Sequence, residues 1–395
     1  MLPADAAQAT LVGRIWDPAT GGPRPVAVAG ERLVDLFGIA PTVSALLELD
    51  DPVSAVQAVD PARGWDLAAV LDATAECRAD AAVLLAPVDL QAIKACGVTF
   101  VDSMIERVIE ERCTGDFARA HQLRAEVTEA LGGSLAGVCP GSPQALRAKE
   151  VLTAAGLWSQ YLEVGIGPDP EVFTKAQPLS AVGPGARIGI PGFSRWNNPE
   201  PELVLVADSR GRARGVTLGN DVNLRDVEGR SALLLGMAKD NTGSAALGPF
   251  VRLFDQHCRL DDVRSETIEL VVTGEDGYVL RGTNSVARLS RPFEELLAAT
   301  CGPHHQYPDG FALFTGTLFV PTDDRDEAGM GFTHKPGDVV TIRSDRLGSL
   351  VNRVAPTEDV PPWTFGIGQL LAYLRRADAE LQPASVRCGA SSPSR

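Results

Sequence analysis

This sequence of 395 residues has fewer basic than acidic residues, no C-x-x-C cysteine pair and no long apolar run. Its net charge is −15 at pH 7, which disfavours nucleic acids and anionic membranes as partners. The seven cysteines include no C-x-x-C pair, and apart from the adjacent His304 and His305, which we assign to a loop, zinc-ligand spacing is missing. No apolar run approaches the roughly 20 residues that span a bilayer, and the first residues do not resemble a secretory signal. These absences predict a cytoplasmic protein without a disulfide framework that binds neither nucleic acid nor membrane.

The pattern of apolar residues divides the sequence into a smaller leading region and a larger one. Residues 1–87 contain short strand-like runs and a helical stretch, and we predict a small N-terminal domain there. Residues 88–380 form the predicted main domain, with helical patterning over about 100–157 and β-prone runs separated by turn residues beyond it. The polar residues 381–395 are predicted to be disordered. This organisation predicts an α+β fold that is mostly β.

Three acidic residues on two neighbouring apolar segments form the most informative pattern. Glu200 and Glu202 enter a β-prone run, and residues i and i+2 of a strand point to the same face. Asp221 ends the next apolar segment, which comes after a short turn. Three converging carboxylates are the ligands that a hard divalent cation such as Mg²⁺ prefers. The spacing alone also fits two solvent-facing glutamates on an edge strand.

The surrounding residues form a series of motifs in a fixed order. These motifs are Glu200-Pro-Glu202-Leu, Gly219-Asn-Asp221-Val-Asn-Leu-Arg225-Asp226, Lys239, Leu247-Gly-Pro249-Phe250, Phe314-Thr-Gly-Thr317 and Lys335-Pro-Gly-Asp338. Over roughly residues 90 to 355 the sequence resembles the fumarylacetoacetate hydrolase superfamily. The resemblance implies a β-roll catalytic domain over 88–380, a helical lid over about 100–157, and a homodimer or larger homo-oligomer. It also implies that the three acids hold Mg²⁺, with Mn²⁺ as the alternative, and that the metal binds the carboxylate and 2-keto oxygen of a pyruvate-like substrate.

The resemblance also implies a general base on the lid. The stretch after Gly97 matches the family's lid motif G-x-N-Y-x-x-H-x-x-E, in which Glu106 takes the place of the glutamate and Ser103 that of the histidine. In the hydrolases of the family, the histidine and glutamate together activate the attacking water. Elimination needs only a base for the proton next to the ketone, so Glu106 alone would serve, and Ser103 becomes a candidate substrate contact. Without the resemblance, Glu106 and Glu110 fit an exposed charged helix face.

Lys239 is a further predicted catalytic residue. The sequence uses five lysines against 31 arginines, so a lysine before this loop is a notable choice. It matches the lysine that the family directs at the keto oxygen of the substrate. An ammonium group there stabilises negative charge that develops only in the transition state. The alternative is a surface lysine that precedes a turn.

Three more residues are predicted to bind substrate because they match family positions. Arg225 would bind the substrate carboxylate or hydroxyls through its planar guanidinium, although pairing with Asp226 or Glu228 fits the sequence equally well. Thr317 matches a threonine that contacts the substrate carboxylate. Lys175 matches a lysine at the edge of the pocket.

The branch of the family is indicated by the missing lid histidine and by the segment 84–100. Both look like the 2-keto-3-deoxypentonate dehydratases of the superfamily, which act on acids derived from D-xylose or D-arabinose. We therefore expect a Mg²⁺-dependent lyase that eliminates water from a 2-keto-3-deoxy sugar acid and yields 2-oxoglutarate semialdehyde. Two alternatives stay open: a hydrolase or decarboxylase of acylpyruvates or diketo acids, and a non-catalytic protein that binds a metabolite.

Overall fold

The computed structural model describes residues 1–101, 104–105, 108, 117–132, 137–318, 324–326 and 331–381. Beyond its first residue, the predicted disordered tail over 381–395 lies outside the described residues. Parts of the predicted lid over about 100–157 do so as well. The rest of the chain folds into strands and helices whose order agrees with the predicted β-rich pattern.

β-Strands form the centre of the fold. The strands are β1 (Leu11–Asp17), β2 (Gly22–Ala29), β3 (Arg32–Asp35), β4 (Gly64–Asp66), β5 (Val83–Leu85), β6 (Ala92–Gly97), β7 (Glu171–Ala176), β8 (Arg187–Ile190), β9 (Asn197–Asn198), β10 (Pro201–Ala207), β11 (Ala213–Asp221), β12 (Asn223–Leu224), β13 (Ala245–Leu253), β14 (Thr267–Thr273), β15 (Val279–Ser285), β16 (Phe311–Phe314), β17 (Val339–Ser344) and β18 (Gly348–Pro356). Each predicted apolar run after Gly165 therefore forms a strand, since these runs are rich in β-branched and aromatic residues.

The larger sheet has 11 strands and joins the N-terminal region to the rest of the chain. Its order is β4-β3-β2-β1-β13-β11-β10-β16-β6-β7, and β5 also pairs with β1. The junction is the antiparallel pair of β1 and β13, in which Leu11 lies opposite Arg252. The strands of residues 1–87 thus extend the main sheet, and a domain boundary at residue 87 stays a prediction.

Strand β10 lies at the centre of the core, and every residue of it is buried. Leu203 and Leu205 point into a cluster with residues of a second sheet, whose order is β15-β14-β17-β18-β8. Val204 and Val206 point to the opposite side, where they pack near the helix Val43–Leu47. A strand covered on both faces needs a continuous apolar run, and the residues after Glu202 form such a run.

The helices are short and lie around the two sheets. They are Val43–Leu47, Pro52–Gln57, Leu67–Ala75, Phe117–Leu131, Pro143–Ala154, Gln160–Ile166, Arg225–Glu228, Leu235–Lys239, Phe293–Thr300 and Ile367–Leu381. Short 3₁₀-helices cover Ala232–Leu234, Leu260–Ser265, Val286–Arg288 and Thr357–Asp359. Among the described residues, we find no helix long and apolar enough to cross a membrane.

The helical region between β6 and β7 has its own apolar core. Its buried residues include Val101, Leu123, Val127, Leu152 and Leu162. The helix Pro143–Ala154 begins after Ser142, because the Ser142 hydroxyl accepts a hydrogen bond from the Ala145 N–H and proline occupies the first helical position. The Gly-Ser-Pro stretch is therefore the cap of a helix.

Arg291 fastens the end of this helical region to the β-structure. Its guanidinium is buried and donates to the carbonyl oxygens of Val164 at 2.9 Å, Gly167 at 2.8 Å and Pro168 at 3.3 Å. The same guanidinium forms an ion pair with Glu295 one helical turn further on. One side chain thus supplies hydrogen-bond donors for several backbone acceptors where the helix Gln160–Ile166 ends.

We predict that Arg291→Met destabilises the protein. The substitution removes the donors from three backbone carbonyls, and a buried acceptor left unpaired costs about 1–3 kcal/mol. We expect the free energy of unfolding, measured by urea denaturation, to fall by about 2–4 kcal/mol. The control Arg78→Met removes an exposed pair with Asp80 and should stay near the wild-type value. An equal loss in both variants would contradict the role of Arg291.

Candidate functional site

The structure brings the three predicted acids together at the ends of two paired strands. Glu200 directly precedes β10, Glu202 is its second residue, and Asp221 is the last residue of β11. The two strands are antiparallel, with Glu202 opposite Gly219. The Asp221 N–H donates to the Glu200 carbonyl oxygen at 3.0 Å, which brings the two side chains side by side.

The geometry of this triad suits a divalent cation. One carboxylate oxygen from each of Glu200, Glu202 and Asp221 lies within 4.8 Å of the others. All three residues are buried, at 9%, 2% and 2% exposure. Buried carboxylates that face one another are costly unless a cation neutralises them. Their oxygens form the hard donor set that Mg²⁺ and Mn²⁺ prefer, so the residues present fit such an ion.

The electrostatics of the triad show the same need for positive charge. Burial, with repulsion from Asp221 as a further cause, raises the pKa of Glu200 to about 7 against the attraction of Lys239. Burial and repulsion from Asp221 and Glu200 raise the pKa of Glu202 well above its usual range. Both shifts arise because the charged forms lose hydration and lie close to like charges.

Lys239 lies against the triad, at the end of the helix Leu235–Lys239. Its Nζ lies 2.6 Å from Glu200 Oε2 and 3.2 Å from Asp221 Oδ2. Burial alone would lower the pKa of Lys239, but the carboxylates of Asp221 and Glu200 raise it well above its ordinary value. The side chain therefore carries a fixed positive charge inside the site and can act as a cation or a hydrogen-bond donor.

Lys175 is a buried ion-pair partner of Asp221. Its side chain is 0% exposed, and its Nζ lies 2.9 Å from Asp221 Oδ1. The ammonium group also donates to the carbonyl oxygens of Val222 and Lys239. Burial lowers the pKa of Lys175. Its contacts orient Asp221 and the segment around Lys239, and a direct contact with substrate stays a prediction.

The loop after β16 closes the site on the side of Glu202. The Gly316 N–H donates to Glu202 Oε2 at 2.6 Å. The hydroxyl of Thr317 donates to the Pro201 carbonyl oxygen at 3.1 Å, which places this residue beside the two glutamates. The motif around Thr317 therefore meets the acids in space, and its contact with substrate stays a prediction.

Arg225 stacks on an aromatic ring. Its guanidinium carbon lies 4.2 Å from the centre of the Trp196 ring, a cation–π contact. Asp226, one of the alternative partners, accepts hydrogen bonds from the Ser194 hydroxyl at 2.8 Å and the Arg195 N–H at 2.7 Å. Arg225 is thus held near the triad by stacking, and its predicted substrate contact stays a prediction.

Three polar residues of the site were not predicted from the sequence. Asn223 donates through Nδ2 to Glu200 Oε1 at 3.0 Å and to Glu228 Oε2 at 2.6 Å. Glu228 Oε1 lies 4.0 Å from Lys239 Nζ. Glu171, the first residue of β7, has its pKa raised by burial and by repulsion from Glu228. Glu171 could have been found from the sequence because it lies in the same predicted strand as Lys175.

The predicted lid residues Glu106 and Ser103 lie outside the described residues. Their predicted roles therefore stay predictions. The described residues near them, Met104, Ile105 and Val108, belong to the apolar core of the helical region, as the helical spacing predicts.

The sequence and the structure were compared with known proteins. The family model for the C-terminal domain of fumarylacetoacetate (FAA) hydrolase matches residues 144–355, more than half of the chain. The 2-dehydro-3-deoxy-D-arabinonate dehydratase of Saccharolobus solfataricus is 34% identical over 185 residues, which cover 47% of this chain and 58% of that protein. The probable 2-keto-3-deoxyxylonate dehydratase of Haloferax volcanii is 28% identical over 266 residues, 67% of this chain and 86% of that protein. The chain thus matches less than two thirds of the length of the first relative.

Solved structures share the fold. A 2-keto-3-deoxy-D-arabinonate dehydratase in its apo form is 23% identical and superposes with a TM-score of 0.63, covering 88% of this chain and 99% of that chain. A structure of 2-keto-3-deoxy-D-arabinonate dehydratase with magnesium and 2,5-dioxopentanoate is 24% identical, with a TM-score of 0.62 and the same coverage of 88% and 99%. The predicted fold class, α+β and mostly β, is confirmed by these likenesses.

We predict that the stability of the metal-free protein falls as the pH rises. Glu200 has a folded pKa of about 7, against a reference value of 4.5, so the folded state binds more protons than the unfolded state between these pH values. The free energy of unfolding, measured by urea denaturation in a chelator, should therefore decrease across this range, and the raised pKa of Glu202 should extend the decrease to higher pH.

Excess Mg²⁺ should offset this decrease, because the cation binds the ionised carboxylates of the folded state. The variant Glu200→Gln carries no titrating group at this position and should show a flatter dependence on pH. A metal-free wild type that gains stability over the same range would contradict the raised pKa.

Proposed function

Because the chain belongs to the fumarylacetoacetate hydrolase family, we propose that it is a Mg²⁺-dependent dehydratase of a 2-keto-3-deoxy sugar acid. The substrate is a 2-keto-3-deoxypentonate, and the product is 2-oxoglutarate semialdehyde, which is 2,5-dioxopentanoate. The observation that carries the proposal is the buried triad of Glu200, Glu202 and Asp221 with the protonated Lys239 against it. The names of the two relatives, both dehydratases of 2-keto-3-deoxy pentonates, support the substrate class.

The triad would hold the metal ion, and nearby polar and charged side chains would bind the substrate. Bound to Glu200, Glu202 and Asp221, Mg²⁺ or Mn²⁺ would polarise the ketone and make the neighbouring C3 protons more acidic. Lys239 would donate a hydrogen bond to the keto oxygen, where negative charge develops as the C3 proton leaves. Arg225 and Thr317 would bind the carboxylate and hydroxyls of the substrate.

The elimination requires one base and no activated water. A carboxylate removes a proton from C3, the C3–C4 double bond forms as the C4–O bond breaks, and the departing hydroxyl takes that proton from the carboxylic acid and leaves as water. Tautomerisation through C5 then converts the primary alcohol carbon into the aldehyde. The net change is the loss of one water molecule, and no oxidant or reductant is consumed.

Two glutamates are candidates for the base. Glu106 is implied by the lid motif. Glu171 is supported by its position, since its carboxyl group is partly buried and interacts electrostatically with Glu228 and Lys239. A carboxyl group whose pKa is raised towards the working pH is a better proton acceptor than an exposed one. Glu228 accepts a hydrogen bond from Asn223 through Oε2 and would accept another from a substrate hydroxyl.

We also propose a cytoplasmic location and assembly into a homodimer or larger homo-oligomer. The net charge of −15 supports the cytoplasmic location, because a large net charge keeps a protein dissolved among other proteins. Size-exclusion chromatography with light scattering would measure the oligomeric state.

The reaction type is tested by the identity of the product. We expect purified protein with Mg²⁺ to convert 2-keto-3-deoxypentonates into a five-carbon aldehyde acid that is one water lighter, as seen by mass spectrometry. In deuterated water, the product should carry solvent deuterium on carbon, because C3 and C4 exchange protons during elimination and tautomerisation. Pyruvate and a second fragment would instead show carbon–carbon cleavage, and the protein would then be a hydrolase or aldolase-type lyase. Activity on acylpyruvates would favour the hydrolase alternative.

The identity of the base is tested by paired substitutions. Glu171→Gln and Glu106→Gln keep the side-chain shape but remove the proton acceptor. The substitution at the residue that acts as the base should therefore lower kcat by about 10²–10⁴-fold. KM should change little in that variant, because the metal and the cations bind the substrate. The matched control is Glu126→Gln on the exposed face of the helix Phe117–Leu131, which should keep wild-type kcat. If neither substitution lowers kcat by more than about 10-fold, both assignments are wrong.

A further inference from the structure

Asn284 links the second sheet to the candidate metal site. It lies in β15 and is 1% exposed. Its Nδ2 donates to the carbonyl oxygens of Pro201 at 2.9 Å and Gly316 at 3.2 Å. Its Oδ1 accepts a hydrogen bond from the Leu318 N–H at 3.1 Å. Both donors and the acceptor of this buried amide are therefore used, which fixes its orientation.

The two carbonyl groups that Asn284 binds belong to the segments that carry and contact Glu202. Pro201 stands between Glu200 and Glu202, at the start of β10. Gly316 donates its N–H to Glu202 Oε2 at 2.6 Å. The amide thus sets the separation between the strand that bears this glutamate and the loop that holds one of its oxygens.

The loop around Gly316 is conformationally restricted. Gly316 has a φ of +97°, a backbone conformation that other residues rarely adopt. A Cβ atom at this position would lie 2.0 Å from the Thr99 hydroxyl oxygen. That hydroxyl in turn donates to the Thr315 carbonyl oxygen at 2.9 Å. The loop is therefore held from both sides, by Thr99 and by Asn284.

We propose that Asn284 is a positioning residue for Glu202. By holding Pro201 and Gly316 at a fixed separation, it keeps Oε2 of Glu202 on the Gly316 N–H and the carboxylate beside the other two acids. Cation affinity depends on such orientation, because a ligand that has to be ordered on binding weakens the site. The proposal rests on the cation-binding part of the proposed function and on no particular substrate.

Asn352 provides a matched control. It is 2% exposed, lies in β18, and its Nδ2 also donates to two backbone carbonyls, those of Gly183 and Ala186, each at 2.9 Å. These two carbonyls belong to neither the triad nor the loop after β16. An Asn→Asp substitution at either position puts a carboxylate oxygen against two carbonyl oxygens, and Asn→Ser removes both donors without adding charge.

The experiment measures Mn²⁺ binding and stability for the same variants. Free Mn²⁺ is monitored by electron paramagnetic resonance during titration of chelator-treated protein, and unfolding is monitored in urea. We expect the wild type to bind Mn²⁺, and Asn284→Asp and Asn284→Ser to raise the Kd by about 10–100-fold, the range for residues that orient metal ligands. Asn352→Asp and Asn352→Ser should lower stability as well, but keep the Kd within about 2-fold of the wild type.

The outcomes separate this proposal from the proposed function. If the wild type binds Mn²⁺ and the Asn284 variants keep its Kd, Asn284 has only a structural role and the proposal is overturned. If the Asn352 variants raise the Kd equally, the effect reflects general loss of stability, and the proposal is likewise overturned. A wild type that binds no Mn²⁺ overturns the metal-dependent function and the positioning role together. Should Asn284→Asp fail to fold, the uncharged Asn284→Ser decides the outcome.

Discussion

The repulsion among three buried carboxylates is the constraint on which the rest of the site depends. Glu200, Glu202 and Asp221 lie within 4.8 Å of one another, and burial removes the water that would screen them. Lys239 contacts two of them and Lys175 contacts Asp221 from the buried side, whereas Glu202 accepts a backbone N–H. The positive charges are thus unevenly placed, and a divalent cation among the three oxygens would complete the neutralisation.

The fold supports this concentration of charge through its layers. Strand β10 is covered on both faces, so the acids at its start cannot turn towards solvent without disturbing the core. The stretch from β15 to Arg291 then connects the layers. Asn284 binds the start of β10 and the loop that holds Glu202, and Arg291 binds the end of the helical region between β6 and β7. One short stretch of the chain therefore contacts both the candidate site and the end of the helical region between β6 and β7.

Prediction succeeded where a short sequence pattern is enough to determine the geometry. Glu200 and Glu202 converge because alternate strand residues share a face, and Asp221 joins them because its strand pairs antiparallel with theirs. Glu171, Glu228 and Asn223 were not predicted, because neither the strand of Glu171 nor the motif that contains Asn223 shows which side chains reach the triad. The complete burial of Lys175 was also not predicted, since sequence does not show how deeply a lysine on a strand is buried.

The class of fold, the strand runs of the core, the acidic triad and the nearby lysine could all be predicted from the sequence. These features arise from local periodicity and from motifs whose residues are close in the chain. Three features become visible only in the folded structure. Strands β1–β4 extend the main sheet, the buried Lys175 forms an ion pair with Asp221, and Asn284 connects the second sheet to the start of β10. Such contacts join residues far apart in the chain, and they depend on the packing of whole layers, which local patterns do not encode.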